Sequence, residues 1–166
     1  MHLIPENGGD EDDTGKAGRV IHGPRLLFVG SRNAKLRPTA SWAFGALADG
    51  DKGAVTVFVP EIAGAPTFEN FAENGRVSVT IADAPTHETY QFKGQLSEIR
   101  PCSEADYTVQ EIYISKLNSY LEPFGYGNWI WNGFVVKPAK AVTFAVEDIF
   151  VQTPGPGAGE KIDLNP

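Results

Sequence analysis

APTFENFAENGRVSVTI, from Ala65 to Ile81, changes its hydrophobic period midway. Phe68, Phe71 and Ala72 recur at i, i+3 and i+4, which is one face of a helical turn. Thr67 and Asn70 are read as polar caps, and Asn74-Gly75 offers the left-handed residue that ends helices. From Val77 the period is two: Val77, Val79 and Ile81 point one way, Ser78 and Thr80 the other. A short helix that drops straight into a half-buried strand is expected here. Such a corner either packs a core or presents a helix end to a ligand, and these residues alone leave both readings open.

Outward from that corner the chain is mostly β. Leu26-Leu27-Phe28-Val29 is a continuous apolar run, expected as a strand buried on both faces and closed by the turn residues Arg32-Asn33. Arg37 to Leu47 alternates, with Ala40, Trp42, Phe44 and Ala46 on one face and Thr39, Ser41, Ala43 and Gly45 on the other. The bulky face is expected to fill the core, leaving a small face for a ligand ring or a neighbouring subunit. Gly50-Asp51 marks a hairpin before Val55, Val57 and Val59. After a turn at Asp83–Thr86, the strand Glu88–Ile99 carries a bulge at Gly94.

A longer helix follows, with Ser103 as N-cap and Asp106 completing a capping box. Its apolar stripe is read as Val109, Ile112, Tyr113, Leu117, Tyr120 and Leu121, and Pro123 and Gly125 stop it. The aromatic cluster Tyr126, Trp129 and Trp131 leads to a final strand, Gly133 to Val146, in which Pro138 implies an edge or a break. Strands follow strands without crossover helices, so the sheet is expected to be antiparallel. The acidic, Gly-rich residues 1–18 read as a flexible arm, 19–151 as the folded domain and 152–166 as a tail.

Composition narrows the function. The chain has 166 residues, 42% of them hydrophobic, enough for one domain with a substantial core. Its 14 basic and 21 acidic residues give a net charge of −7, which argues against binding a phosphate backbone. No apolar run reaches membrane-spanning length, and the first residues lack a secretory pattern, so a cytoplasmic protein is expected. Cys102 is the single cysteine; Pro101-Cys102-Ser103 reads as a connector, with a thiolate stabilised ahead of the helix as the alternative. His22 and His87 stand apart with no carboxylate at ligand spacing, and no metal site is expected. No nucleophile–base pair stands out, so no catalytic residue is assigned.

Two segments resemble the flavin-binding split-barrel family typified by pyridoxamine 5′-phosphate oxidase. NFAENGRVSVTI (Asn70–Ile81) is similar to its helix-to-strand corner, and WNGFVVKPAKAVTF (Trp131–Phe144) to its C-terminal pattern. The resemblance covers Val20 to Val151. It implies an α+β, mainly β fold: a six-stranded antiparallel split β-barrel with one short and one longer helix. It also implies a homodimer with flavin mononucleotide (FMN) at the subunit interface.

The resemblance places the isoalloxazine against Thr39–Ala43 and the phosphate near the start of the helix at Pro66–Glu73. The residues it brings to the cofactor are Arg37, Thr39, Ser41, Trp42, Ala43, Pro60, Glu61, Thr67, Thr89 and Trp131. Several departures stand out. The family's strand arginine falls on Ser41, its Ser-Arg-Lys phosphate clamp on Ala65-Pro66-Thr67, and its partner-chain glutamine on Thr89. Each lost charge-assisted bond is worth about 1.5–3 kcal/mol. Arg37, Arg76 and Lys93 are candidate replacements, while Glu61 would oppose a dianion. AVEDIFVQT follows where the family's Arg-x-His motif would grip pyridoxal phosphate, so that oxidase activity is not expected. The resemblance thus implies a flavoprotein oxidoreductase acting on an unassigned small-molecule substrate. The alternative is a cofactor-altered, non-catalytic ligand-binding or interaction member of the same fold.

Overall fold

The computed structural model describes residues 13–126 and 135–163. Its elements are α1 (Asp13–His22), β1 (Leu26–Arg32), β2 (Pro38–Ala43), β3 (Ala46–Asp49), β4 (Ala54–Pro60), α2 (Glu61–Asn74), β5 (Arg76–Ala82), β6 (Thr89–Pro101), α3 (Glu104–Leu121) and β7 (Ala139–Val151), with a single 3-10 turn at Glu122–Phe124. The seven strands form one antiparallel sheet in the order β2-β1-β5-β6-β7-β4-β3.

Seven strands replace the expected six because Arg37–Leu47 is not one strand. Gly45 takes φ +104° and breaks it into β2 and β3, which sit at opposite edges of the sheet. The break is stitched to β4: Phe44 N–H donates to Phe58 O (2.8 Å) and Phe58 N–H to Gly45 O (3.3 Å). The sheet therefore curls on itself but is not closed into a barrel by a ladder.

The facing of β2 also reverses the expectation. Ser41 and Ala43 are buried, whereas Trp42 is 41% exposed and stacks on Phe28. The curl turns the small face inward, where Val29, Val57, Val79 and Phe144 already fill the core. β1 likewise alternates rather than being buried twice over, with Leu27, Val29 and Ser31 inward.

The decisive corner folds as a longer helix than its sequence suggests. α2 starts at Glu61 behind Pro60 with no side-chain cap, and Pro66 lies within it. Gly75 ends it at φ +65°, its N–H donating to Phe71 O as a left-handed C-terminal residue does. Thr67 and Asn70 are not caps but mid-helix residues facing the sheet. Gly64 lets the helix approach β4, since a Cβ there would stand 2.7 Å from Val59.

Ser103 and Asp106 form the expected capping box on α3. The buried stripe of that helix is rotated from the expected one: Tyr107, Gln110, Ile114, Leu117 and Leu121 are inside, and Ile112 is half exposed. Tyr113 and Tyr120 sit beside that stripe and use their hydroxyls, on Arg25 O and on the Asp83 carboxylate (2.9 and 3.1 Å). The last strand begins at Ala139, immediately after Pro138, so the proline is a break and not an edge residue.

Helix α1 begins inside the stretch 1–18 read as an arm and runs past its end; Ala17 from the arm joins the core together with Val20 and Ile21. Past β7 the chain turns back. Ile162 is buried with its N–H on Ile149 O (2.9 Å), and Lys161 bridges to Phe150. No helix among the described residues is long and apolar enough to cross a membrane.

A concave sheet face as the candidate site

The outward residues of β1, β2, β5, β6 and β7 enclose a concavity of about 580 Å³. Strand register arranges them in rows. Trp42, Phe28, Thr80, Gln91 and Phe150 lie opposite one another in successive ladders, and so do Ala40, Gly30, Ser78, Lys93 and Asp148. One step further along, Pro38 pairs with Arg32 on the β1 side, and Arg76 begins β5. The first row has aromatic ends and a polar centre, where Gln91 Nε2 donates to Thr80 Oγ1 (3.2 Å). The second has a floor of small side chains at Ala40, Gly30 and Ser78 and continues into Lys93 and Asp148. The third is cationic.

The floor is open by construction. A Cβ built on Gly30 would meet nothing closer than Ser78 at 3.7 Å, an ordinary contact. The acidic rim arises from a bulge. Lys93 pairs with Asp148 but Gly94 with Val146, so Glu147 is the extra residue and both acids reach the concavity. Gly94 is required there, because a Cβ would stand 1.8 Å from Ala145 O. Glu147 is held by Arg76 at 2.7 Å and Asp148 by Lys161 at 2.5 Å. Asp148 in turn raises the pKa of Lys161 through that hydrogen bond.

Behind the floor a buried polar network fastens α2 to the β1–β2 hairpin. Ser31 and Thr39 share a hydroxyl hydrogen bond (2.8 Å), Thr39 another with Thr67 (3.3 Å), and Asn70 Nδ2 donates to both Ser31 (3.0 Å) and Thr39 (3.1 Å).

The residues singled out from sequence are dispersed by the fold. Thr39 lines the concavity, and Trp42 stands beside it through Phe28. Ser41 and Ala43 face the core. Thr67 is 1% exposed and belongs to the buried network. Pro60 is buried at the start of α2, and Glu61 there donates its N–H to Pro138 O (2.9 Å). Arg37 is exposed in the β1–β2 turn, its N–H donating to Asn33 Oδ1 (3.0 Å). Thr89 opens β6 two residues before Gln91 and on the same strand face, just outside the lining; its hydroxyl donates to His87 O (2.9 Å) and its N–H to Thr153 (3.0 Å). Trp131 lies outside the described residues. Of the candidate replacement cations, Arg76 and Lys93 line the concavity.

Arg32, Ser78, Thr80, Gln91, Glu147 and Asp148 were not singled out. The alternation of Ser78 and Thr80 is the sequence signal that could have found the floor, since a polar face on a strand this regular has to meet something other than core. Cys102 is not the activated thiol of the alternative reading: burial first, and then nearby Asp106, push its pKa up to about 11. Among the described residues no group of three His, Cys, Asp or Glu side chains is placed to hold a metal ion.

No protein-family model and no curated protein matches the sequence. Solved structures do. A Clostridium acetobutylicum protein related to general stress protein 26 of B. subtilis, described as of the pyridoxinephosphate oxidase family, superposes with a TM-score of 0.51 at 13% identity, over 90% of this chain and 93% of that one. The chain has the pyridoxamine 5′-phosphate oxidase-like fold. HupZ of Group A Streptococcus superposes with a TM-score of 0.50 at 21% identity, over 85% of this chain and 94% of that one. HutZ, the haem storage protein of Vibrio cholerae, aligns with a TM-score of 0.49 at 19% identity, over 91% and 95%.

Proposed function

We propose that the concave sheet face binds a flavin of the FMN class, and that two copies of the chain meet over it so that each roofs the other's concavity. The observation that carries this reading is the row order: aromatic ends, a floor of alanine, glycine and serine that runs into Lys93 and Asp148, then Arg32 and Arg76. A planar ring system suits a floor with no branched side chain. Phe28 and Trp42 offer it an aromatic flank, with ring centroids 4.4 Å apart. Thr80 and Gln91 offer hydroxyl and amide partners to ring heteroatoms, and a volume near 580 Å³ falls within the usual range for small-molecule sites. A haem finds no imidazole, thiolate or phenol among the residues lining this face.

A bound flavin would supply the electron-transfer chemistry; the residues here orient it, shield one face from water and set its electrostatics. On that basis the protein is an oxidoreductase of unassigned substrate. A second reading, a binding module without turnover, is favoured by Ala65-Pro66-Thr67, where Thr67 is sealed in the interior. Oxidation of a nicotinamide donor by the flavin-loaded protein separates the two, because binding without turnover leaves only the module.

The test of the site itself is a flavin fluorescence titration of the wild type and of Gly30→Leu. Leucine at Gly30 keeps the strand and fills the concavity, so the expected result is micromolar binding by the wild type and a loss of about tenfold or more in the variant, equivalent to ~1.4 kcal/mol, with thermal stability kept. A wild type that binds no flavin, or a variant that binds as well, would overturn the proposal.

A further inference from the structure

We infer that Arg32 and Lys93 form a clamp for a phosphate monoester at the cationic end of the concavity, an inference that rests on reading the concavity as a ligand site. The argument is one of uncompensated charge. The carboxylates that line this face are Glu147 and Asp148, and each is already taken, by Arg76 at 2.7 Å and by Lys161 at 2.5 Å. Arg32 donates weakly to its neighbour's carbonyl, Asn33 O at 3.4 Å, and Lys93 rests over the Phe150 ring at 4.3 Å. Neither has a carboxylate partner among the described residues. In a chain of net charge −7, the lining holds three cations against two carboxylates, and with Glu147 on Arg76 and Asp148 on Lys161 the charges of Arg32 and Lys93 have no ion-pair partner among the described residues.

Geometry lets both reach one group. Lys93 shares a row with Gly30, and Arg32 is two residues along β1. Two strand spacings and two residues of rise separate their Cα atoms by about 12 Å. Side chains of this length converge over that span on an anion lying between them, next to Ser78, whose row they share or flank. A phosphate monoester carries about −1.5 to −2 charges at neutral pH, which matches the pair. Arg32 supplies a planar fork for two oxygens and Lys93 a point charge. This end of the concavity is distinct from the α2 start, where the interior network occupies Thr67.

Two probes make the clamp testable apart from the flavin. Phenyl phosphate is titrated against the wild type, Arg32→Gln/Lys93→Met and Arg37→Gln, followed by 31P line width, with thermal midpoints confirming folding. FMN and riboflavin are then compared by fluorescence on the same proteins. Expected are loss of phenyl phosphate binding by about tenfold or more in the double variant, wild-type behaviour in Arg37→Gln, and a preference for FMN over riboflavin that vanishes in the double variant. Arg32→Lys keeps a charge and should retain most of the affinity. Equal binding of FMN and riboflavin by the wild type overturns the clamp and leaves the flavin reading standing. Phenyl phosphate bound by the wild type but not the double variant, with no flavin bound at all, upholds the clamp and removes the flavin. Phenyl phosphate binding that is absent, or unchanged in the double variant, overturns the clamp.

Discussion

Replacing Asn70 with alanine tests whether the α2–hairpin network is structural. The Asn70 amide donates to Ser31 at 3.0 Å and to Thr39 at 3.1 Å, in a setting where the residue is 8% exposed. Truncation deletes both bonds, but Ser31 and Thr39 keep each other at 2.8 Å, and Thr39 keeps Thr67 at 3.3 Å. No hydroxyl is left without a partner. The loss is therefore two net hydrogen bonds at about 1 kcal/mol each, with a smaller packing term, or about 2–3 kcal/mol in total. For a domain of this size that lowers the thermal midpoint by roughly 5–10 °C. Thr39→Val strikes the node that bonds Ser31, Thr67 and Asn70, so it should cost at least as much. The two changes should combine less than additively, because they delete a shared bond. Circular dichroism melts and urea titrations of the two single variants and the double variant give the numbers. A loss below about 0.5 kcal/mol for Asn70→Ala, the range of ordinary surface substitutions, would refute the network as described.

Other consequences follow from the same geometry. Gly94→Ala should destabilise the fold by several kcal/mol, in the class of severe backbone clashes, because the new methyl would stand 1.8 Å from the Ala145 carbonyl; equilibrium unfolding measures it. Asp106 accepts two hydrogen bonds from Arg100 (2.5 and 3.1 Å) and caps α3 through Ser103, and Arg100 foremost holds its carboxyl well below the ordinary carboxylate range. A depressed folded-state pKa contributes stability that is present above the unfolded value near ~3.9 and is lost as pH falls below it. Wild type should therefore lose stability on acidification below about pH 4 more steeply than Asp106→Asn, which is itself weaker at neutral pH by about 1–2 kcal/mol. Parallel melts at several pH values read this out. Cys102, with its pKa near 11, should react with iodoacetamide about a hundredfold more slowly in the folded protein than in urea at pH 8, as judged by mass spectrometry.

The fold was legible where a local rule has a single outcome. Gly75 must take the left-handed position at the end of α2, Ser103 and Asp106 must cap α3, and Gly94 must mark a bulge; each does. Antiparallel pairing followed from strands succeeding strands. What the chain did not disclose depends on curvature. Alternation along Arg37–Leu47 gives two faces but not which is inside, and the curl at Gly45 put Trp42 outside and Ser41 within. The same curl split one expected strand into two edges. Nor does a stripe of apolar residues fix helix rotation when a buried Gln110 can place its Nε2 on Asp106 O (3.3 Å) even with its Oε1 unpartnered.

The site was less legible, for a physical reason. Its parts come from five strands whose neighbours are set by register, so residues far apart in sequence, Gly30, Ser78 and Lys93, become one row. Residue-by-residue likeness to the family pointed instead to Ser41 and Thr67, which this chain buries. Arg32 read as a turn residue because it closes an apolar run, and only the hairpin's register turns it toward the concavity.

The most direct measurement is the map of backbone amide shifts in the 15N-labelled protein as FMN is added. The account predicts saturable shifts concentrated on Gly30, Ala40, Ser78, Thr80 and Lys93, with the far ends of β3 and α3 unmoved. Shifts gathered instead around the start of α2, or no shifts at millimolar FMN, would contradict it.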